Sequence, residues 1–230
     1  MWDYLVDVIM PVYNHERFLG QALEGIVSQK TNFKFRLLIG EDCSTDGSRD
    51  IIEQYARRYP EIVFPFYRSP NVGANKNSEL LFQDLKSKYC AICEGDDYWI
   101  HPDKLQMQVD FLERNPEFSV CFTNVEVMND DGDYDNQFPA YEKSVYTIED
   151  VILKPVNIIP TPTVMYRNIF AGILPDFFLR SLSRDVALYL LLTDKGHIKY
   201  LDTITAVYRH HSGGISKSDV YVATGEDKLI

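Results

Sequence analysis

The sequence lacks long apolar runs and is poor in positive charge. No apolar stretch approaches the length of about 18 residues that a membrane-spanning helix needs. The first residues show neither the basic segment nor the apolar core of a signal peptide. We therefore expect a cytoplasmic protein without a transmembrane segment, although peripheral attachment at the inner membrane face stays open. There are 23 basic residues against 34 acidic ones, which leaves a net charge of −11. Because nucleic acid demands a basic surface, we expect no nucleic-acid partner.

Cysteine is scarce, with four in 230 residues. Cys90 and Cys93 have the spacing of a redox or zinc-binding pair. On a strand, however, these two side chains would point to opposite faces, and no second pair completes a zinc site. We predict buried, reduced thiols with a structural role, in a chain whose apolar fraction of 45% suffices for a sizeable core.

Strand-like and helix-like segments alternate through the first 128 residues. Short apolar runs predict strands at residues 5–10, 33–40, 62–67, 89–93 and 118–128. Apolar residues at helical spacing predict helices at residues 16–29, 49–59, 104–114 and, after a polar loop at 71–77, to about residue 85. This alternation is typical of an α/β fold, with a Rossmann-like, mainly parallel sheet flanked by helices.

The alternation ends near residue 132. The pattern then predicts an irregular connector at 133–143, a short helix at 148–153, a strand at 161–167, a helix at 184–193 and a strand at 198–208. We expect this mixed second half to complete the sheet and to build the far wall of a cleft. We predict a single domain, residues 1–230, with a first half at 1–128 and a second half at 129–230.

Three carboxylates follow the apolar run that ends at Cys93. They are Glu94, Asp96 and Asp97, and Gly95 lets the backbone bend between them. Acids that follow a strand lie at the carboxyl edge of a sheet, where open α/β sheets bind ligands. A hard divalent cation, Mg²⁺ or Mn²⁺, is the natural partner for such a cluster and often keeps positions open for substrate phosphates. The alternative is an ordinary, solvated acidic turn.

The run from Glu94 to Trp99, Glu-Gly-Asp-Asp-Tyr-Trp, resembles the Asp-x-Asp region of the inverting, nucleotide-sugar-dependent glycosyltransferases of family 2, which have the GT-A fold. In that family this region holds the metal and the diphosphate and ribose of the donor. The resemblance implies that Asp97 is a metal ligand and that Glu94 and Asp96 contact the donor. The first acid is Glu here, where the family pattern has Asp.

The loop after the first predicted strand carries the same resemblance. It reads Pro11-Val-Tyr13-Asn14, and the corresponding loop of the family lies against the nucleotide base. The resemblance implies donor contacts by Pro11, Tyr13 and Asn14, with Tyr13 stacking on the base. We expect Asn14 to cap the following helix as well. The alternative is a mere strand exit.

Two more loops match family motifs of the donor site. Glu41-Asp42-Cys-Ser-Thr-Asp-Gly47 is similar to an Asp-Asp-x-Ser-x-Asp-Gly run, whose second acid accepts a hydrogen bond from N3–H of uracil. Asp42 takes that place. Asn71-x-Gly73-x-x-Lys76-Asn77 is similar to an Asn-x-Gly-x-x-x-Asn loop, in which Gly73 permits close backbone approach and Lys76 places a cation near the diphosphate or base. Helix caps and an ordinary helix start are the alternatives.

The second half carries two further motifs. Asp185 opens a predicted helix at the place of the general base in the family, while Arg184 stands where the family often has a second acid or glycine. His211 ends a run, Tyr208-Arg-His-His211, that is similar to the Tyr-Arg-x-His of the family, which implies a metal or diphosphate contact. The alternatives are an acid that the helix dipole stabilises and a surface turn. His15, His101 and His197 are assigned no role.

These motifs together predict an inverting, metal-dependent glycosyltransferase. It would use Mn²⁺ or Mg²⁺ to move a sugar from a UDP-sugar to a hydroxyl group of a glycan or other acceptor, in cell-surface polysaccharide or other glycan synthesis. The first half would bind the nucleotide-sugar and the second the acceptor. One alternative is a sugar nucleotidyltransferase, which usually has a glycine-rich loop at the position of the loop from Pro11 to Asn14. The other is a non-catalytic binding module, which would be recognised by the loss of the general base or of the metal-binding acids. Both stay as alternatives, and the oligomeric state stays open.

Overall fold

The computed structural model describes residues 3–135, 141, 143–153, 159–170, 173–181 and 183–213. Within these residues ten strands form one sheet. The strands are β1 (Val6–Val12), β2 (Phe35–Glu41), β3 (Val63–Tyr67), β4 (Tyr89–Ile92), β5 (Tyr98–Trp99), β6 (Phe118–Asn129), β7 (Tyr134–Asp135), β8 (Val145–Tyr146), β9 (Met165–Arg167) and β10 (His197–His210). The helices are α1 (Glu16–Val27), α2 (Ser48–Arg58), α3 (Ala74–Gln83), α4 (Lys104–Arg114), α5 (Ile148–Leu153), α6 (Asp176–Arg180) and α7 (Arg184–Thr193).

The sheet is parallel in its first half and mixed in its second, which confirms the predicted α/β fold class. The strand order is β3-β2-β1-β4-β9-β6-β10-β5, with β7 on β6 and β8 on β10. β1 pairs parallel with β2 and β4, whereas β9 runs antiparallel between β4 and β6. The strand order reverses between β1 and β4. In open α/β sheets, ligands bind outside the carboxyl ends of the strands at such a point.

At this point β1 extends past the end of β4. The carbonyl of Ile9 accepts from the N–H of Cys93 on the β4 side, and the carbonyl of Val12 accepts from Asp42 on the β2 side. Successive residues of a strand bond to alternate sides, so Pro11 faces the same side as Ile9. The β4 ladder has ended there, and a residue without an N–H is therefore tolerated in this central strand.

Helices cover both faces of the sheet. One face is covered by α1, α2 and α4 through a core that includes Leu19, Leu23, Ile52, Leu105 and Val109. The other is covered by α3, α5, α6 and α7 through a core that includes Leu81, Phe82, Val151, Phe178 and Leu188. Cys93 lies in the first core and Cys90 in the second, so the two thiols point to opposite faces as predicted, and all four cysteines are free. No helix of the described residues is long and apolar enough to cross a membrane.

The structure differs from the prediction in its short elements. The predicted strand at 161–167 begins as a 3-10 turn, Thr161–Thr163, and only Met165–Arg167 is a strand. Pro162 explains this difference, because it has no N–H to give to a ladder. Neither α6 nor β5 was predicted, since segments of five and two residues carry no readable periodicity. The predicted connector at 133–143 lies partly outside the described residues.

Candidate active site

An acidic turn lies between β4 and β5, beside the end of β1. Glu94, Asp96 and Asp97 each offer one carboxylate oxygen, and these three atoms lie within 4.8 Å of one another. The chain then returns to the sheet, because β5 pairs antiparallel with β10. Gly95 has no room for a side chain, since a Cβ there would come within 2.6 Å of Nδ1 of His15. The turn is therefore held at both ends and packed against the start of α1.

Arg209 on β10 braces the acidic turn. Its backbone N–H donates to Oδ1 of Asp97 at 2.8 Å. Its guanidinium donates to the carbonyl of Asp96 and to the side chain of Gln21 on α1. The same guanidinium lies 4.3 Å from the ring centre of Tyr98. One arginine thus joins the last described strand, the acidic turn and the first helix.

The carboxylate of Asp96 lies between two histidines. Its Oδ2 is 3.1 Å from Nε2 of His211 and 3.9 Å from Nε2 of His15. The ring of His211 also packs against Phe18, with 4.8 Å between the ring centres. The structure thus brings His211 to the acidic turn, as the prediction of a metal or diphosphate contact requires.

The three carboxyl groups of the turn affect one another's pKa values. Burial and the neighbouring charges of Asp96 and Asp185 raise the pKa of Glu94 to about 8. Burial, with Asp96 and Glu94, raises the pKa of Asp97 well above its usual range. Burial also opposes ionisation of Asp96, but the hydrogen bond with His211 and the nearby His15 outweigh it, so the pKa of Asp96 is lowered. The turn by itself therefore disfavours the ionised forms of Glu94 and Asp97 and favours that of Asp96.

A divalent cation fits this group of residues. Oδ1 of Asp96 and Oδ2 of Asp97 are buried and have no hydrogen-bond partner among the described residues. A buried carboxylate oxygen without a partner is costly, and coordination to a hard cation would satisfy it. Of the two side chains predicted to ligate the ion, Asp97 belongs to this group of carboxylates, whereas His211 lies outside it and contacts Asp96.

Asn14 ties the loop after β1 to the loop after β2. Its N–H donates to Oγ of Ser44 at 3.0 Å, and its Oδ1 accepts from the N–H of Thr45 at 2.8 Å. The backbone of Asn14 has a positive φ of 57°, which asparagine tolerates better than most residues. The prediction that Asn14 caps the following helix is wrong, because α1 begins at Glu16 after His15 and has no cap from its own loop.

Helices α1 and α2 instead cap each other across these two loops. The N–H of Glu16 donates to Oδ2 of Asp46 at 3.0 Å, and the N–H of His15 donates to Oγ of Ser48 at 2.8 Å. In return, the N–H of Gly47 donates to the Glu16 carboxylate at 2.9 Å. The alternative reading of the Glu41–Gly47 run as helix caps is therefore partly correct, but the caps serve the neighbouring helix as well.

Asp42 holds the loop that precedes α3. Its Oδ1 and Oδ2 accept from the backbone N–H groups of Val72 and Gly73, each at 2.8 Å. Its carbonyl accepts from the side-chain amide of Asn71 at 2.7 Å. Gly73 has a positive φ of 84°, which explains why glycine is needed there. Each carboxylate oxygen has a second lone pair, so Asp42 can still accept a hydrogen bond from a ligand.

Three other predicted donor contacts also lie along this edge of the sheet. Pro11 is the second-last residue of β1, and Tyr13, which follows the strand, is 46% exposed. Lys76, in the first turn of α3, is exposed and pairs with Glu79 on the same helix. The aromatic ring and the ammonium group are therefore both accessible to a ligand.

Asp185 faces the acidic turn from the opposite half of the chain. It lies in the first turn of α7 and keeps part of its surface exposed to solvent. Desolvation by the surrounding protein raises its pKa. Its charge is close enough to raise the pKa values of Glu94 and Tyr189. The predicted base therefore lies near Glu94 of the acidic turn.

Sequence reasoning missed two residues of this site. His15 was assigned no role, yet it lies beside Asp96, and its buried Nδ1 has no hydrogen-bond partner among the described residues. Arg209 was quoted only as part of the final motif. The available signal for His15 was its position directly after Asn14, in the loop that the resemblance places against the donor.

Comparison with known protein sequences identifies relatives. The profile of the family described as "Glycosyl transferase family 2" matches residues 7–170. An uncharacterized protein of Mycobacterium tuberculosis is 36% identical over 217 residues, covering 91% of this chain and 60% of the relative. TuaG of Bacillus subtilis, provisionally named as a teichuronic acid biosynthesis glycosyltransferase, is 31% identical over 219 residues, covering 94% of this chain and 83% of TuaG. The chain thus spans about three fifths of the mycobacterial relative.

Solved structures share the fold at low sequence identity. The chain matches Staphylococcus aureus TarS, residues 1–349, in complex with UDP-GlcNAc, with a TM-score of 0.65 and 18% identity, covering 93% of this chain and 60% of TarS. It matches the mannosyltransferase PcManGT of Pyrobaculum calidifontis, in complex with GDP-Man and Mn²⁺, with a TM-score of 0.66 and 13% identity, covering 90% of this chain and 57% of PcManGT. These matches confirm the predicted GT-A fold.

Proposed function

We propose a reaction for this chain, which belongs to glycosyl transferase family 2: transfer of a sugar from a UDP-sugar to a hydroxyl group of an acceptor, with inversion. We further propose that the acceptor is a growing cell-surface polysaccharide or another glycan. The observation that carries the proposal is that Asp185 of the second half lies close enough to Glu94 to raise its pKa, beside the three clustered carboxylates of the acidic turn. The acidic turn can hold a donor diphosphate through a metal ion, and Asp185 offers a base.

In this proposal the acidic turn helps to bind the metal ion. Asp97 and His211 would hold Mn²⁺ or Mg²⁺, with Glu94 and Asp96 toward the donor. The ion would neutralise the charge that develops on the diphosphate as it leaves. Support comes from the unpartnered oxygens of Asp96 and Asp97 and from PcManGT, whose structure includes Mn²⁺.

In this proposal Asp42 recognises uracil. Its carboxylate is buried and fixed by two backbone N–H groups, so it presents acceptor positions in a set direction. Uracil carries an N3–H that such an acceptor can bind, with Tyr13 available for stacking on the ring. The TarS structure with UDP-GlcNAc supports a uridine donor, while the PcManGT structure with GDP-Man marks guanosine as the competing choice.

Asp185 acts as the general base. As the acceptor oxygen attacks the anomeric carbon, the bond between that carbon and the phosphate oxygen breaks, and its electron pair leaves with UDP. The hydroxyl proton passes to Asp185. Burial raises the pKa of Asp185, which makes the ionised carboxylate a stronger base.

A donor screen tests the proposed function. The protein would be incubated with a panel of UDP- and GDP-sugars in the presence of Mn²⁺, and release of the free nucleoside diphosphate would be measured with and without glycan acceptors. We expect release from at least one UDP-sugar, more slowly without acceptor. No release or binding of any nucleotide-sugar would contradict the proposal. Release of pyrophosphate from UTP and a sugar phosphate would instead identify a nucleotidyltransferase.

A further inference from the structure

Arg184, the neighbour of the proposed base, connects three helices. Its guanidinium donates from Nη1 to the carbonyl of Asn75 in the first turn of α3. From Nη2 it donates to the carbonyl of Leu179 near the end of α6, at 3.2 Å. Its Cζ lies 5.8 Å from the ring centre of Phe178, which packs edge-on against Phe82 of α3. The first turn of α7 is thereby fastened to the first turn of α3.

The attachment point on α3 lies beside the loop that Asp42 holds. Asn75 lies two residues after Gly73, whose N–H is held by the Asp42 carboxylate. A continuous set of contacts therefore runs from Asp42 through the Gly73 backbone and the first turn of α3 to Arg184. Asp185 is the next residue along the chain.

The first turn of α7 packs into the core through Val186 and Ala187 but lacks a side-chain cap. Ser183, at the N-cap position, makes no side-chain hydrogen bond to the helix. Exposed acids at a helix start rely on neighbouring structure for a defined orientation, and α7 has only ten residues. Arg184 supplies two directional hydrogen bonds from a rigid planar group at the residue adjacent to Asp185.

We infer that Arg184 is a positioning residue. By fastening the first turn of α7 to the first turn of α3, it sets the position of Asp185 relative to the bound donor. This inference rests on the proposed function. It predicts that loss of the guanidinium impairs the transfer step while leaving donor binding almost intact. A displacement of about 1 Å between reacting groups can cost on the order of 100-fold in rate. We therefore expect Arg184→Met to lower kcat by about 10- to 100-fold and to change the donor Kd by less than about threefold.

The guanidinium shape makes a second variant informative. Lysine keeps the charge of Arg184 but has a single flexible ammonium group in place of the planar fork. Arg184→Lys should therefore restore only part of kcat, since one point donor cannot hold both carbonyls in the arginine geometry. Arg180→Met is the matched control. Arg180 lies on α6, is largely exposed and pairs with Asp176 on the same helix, so its loss should leave kcat unchanged.

Hydrogen exchange supplies a readout that does not depend on turnover. In Arg184→Met, backbone amides in the first turns of α7 and α3 should exchange faster together, while those of α1 and α4 keep the wild-type rates. Wild-type kcat in Arg184→Met, or faster exchange spread evenly over the chain, would overturn the positioning role. If the wild-type protein transfers no sugar, the proposed function itself fails. An active wild type with a fully active Arg184→Met variant refutes the positioning role alone.

Discussion

Nε2 of His211 lies 3.1 Å from Oδ2 of Asp96, although the two residues are 115 positions apart in the sequence. The contact joins the residue after β10 to the acidic turn after β4, so two segments that are far apart in the sequence meet at one site. Arg209 strengthens the same junction through its N–H to Asp97. The geometry of the acidic turn thus depends on β10, and the following predictions test what this arrangement does.

The first prediction concerns the metal. Asp97→Asn keeps an oxygen that can accept from the Arg209 N–H but removes the negative charge, so Mn²⁺-dependent UDP binding should weaken at least about tenfold. Asp97→Ala should lose most of this binding too while the fold is retained. Calorimetry with UDP, with and without Mn²⁺, measures the effect. Asp110→Asn, on the outer side of α4, is the control and should bind as the wild type does. Unchanged affinity in both Asp97 variants would exclude Asp97 as a ligand.

The second prediction concerns uracil. Asp42→Ala should weaken UDP binding by about 1–3 kcal/mol, the usual loss for a hydrogen bond to a charged group. Because Asp42 also holds the N–H groups of Val72 and Gly73, Asp42→Asn serves as the milder variant that keeps one carbonyl acceptor. The measurement is the ratio of UDP to GDP affinity, which should fall toward one in Asp42→Ala. Equal affinities for UDP and GDP in the wild type would show that the uracil assignment is wrong.

The third prediction concerns the base. Asp185→Asn keeps the shape of the side chain but cannot take a proton, so transfer should fall by about 10²- to 10⁴-fold while UDP-sugar affinity stays nearly unchanged. If Asp185 only stabilises the helix start, turnover should be normal and stability should fall by about 0.3–1 kcal/mol. Turnover, donor affinity and melting temperature are measured on the same variant. Asp194→Asn, at the other end of α7, is the matched control and should transfer normally.

The fourth prediction concerns Lys104, which is fully buried at the start of α4. Its Nζ donates to Gln108 at 2.8 Å and lies 4.2 Å from the ring centre of Trp99. Burial lowers the pKa of Lys104 to about 7, whereas an unfolded lysine titrates near 10.4. Between these values the unfolded state binds more protons than the folded state. The free energy of unfolding should therefore rise with pH, by up to about 1.4 kcal/mol per unit from this residue.

Lys104→Met isolates the contribution of Lys104 to the pH dependence of stability, because methionine has a similar length and no proton to lose. Urea unfolding at pH 7 and pH 9 should show a larger stability increase in the wild type than in the variant. Below about pH 7 both states of the wild type are protonated, so the difference between the two proteins should stop changing with pH. Parallel pH profiles across the whole range would show that Lys104 keeps its proton in the folded state.

Alternation of apolar runs determined the first half of the fold. Short β-rich runs and helical spacing mark the elements from β1 to α4, apart from β5, to within a few residues, because each segment has to bury one face against the same sheet. The position of the acidic residues follows as well. Glu94, Asp96 and Asp97 come directly after β4, and the carboxyl ends of parallel strands meet at one edge. The position of Asp42 directly after β2 predicted in the same way that it lies at this edge of the sheet.

Only the tertiary structure decided which side chains support these acids. Asp42 binds the N–H groups of Val72 and Gly73, and Arg184 binds the carbonyl of Asn75, through contacts between segments that are far apart in the chain. Lys104 has an ionisable side chain, yet it is buried, with its Nζ bonded to Gln108 and placed over the ring of Trp99. Local periodicity depends on neighbours within a few residues, so it carries no information about partners that chain folding brings together.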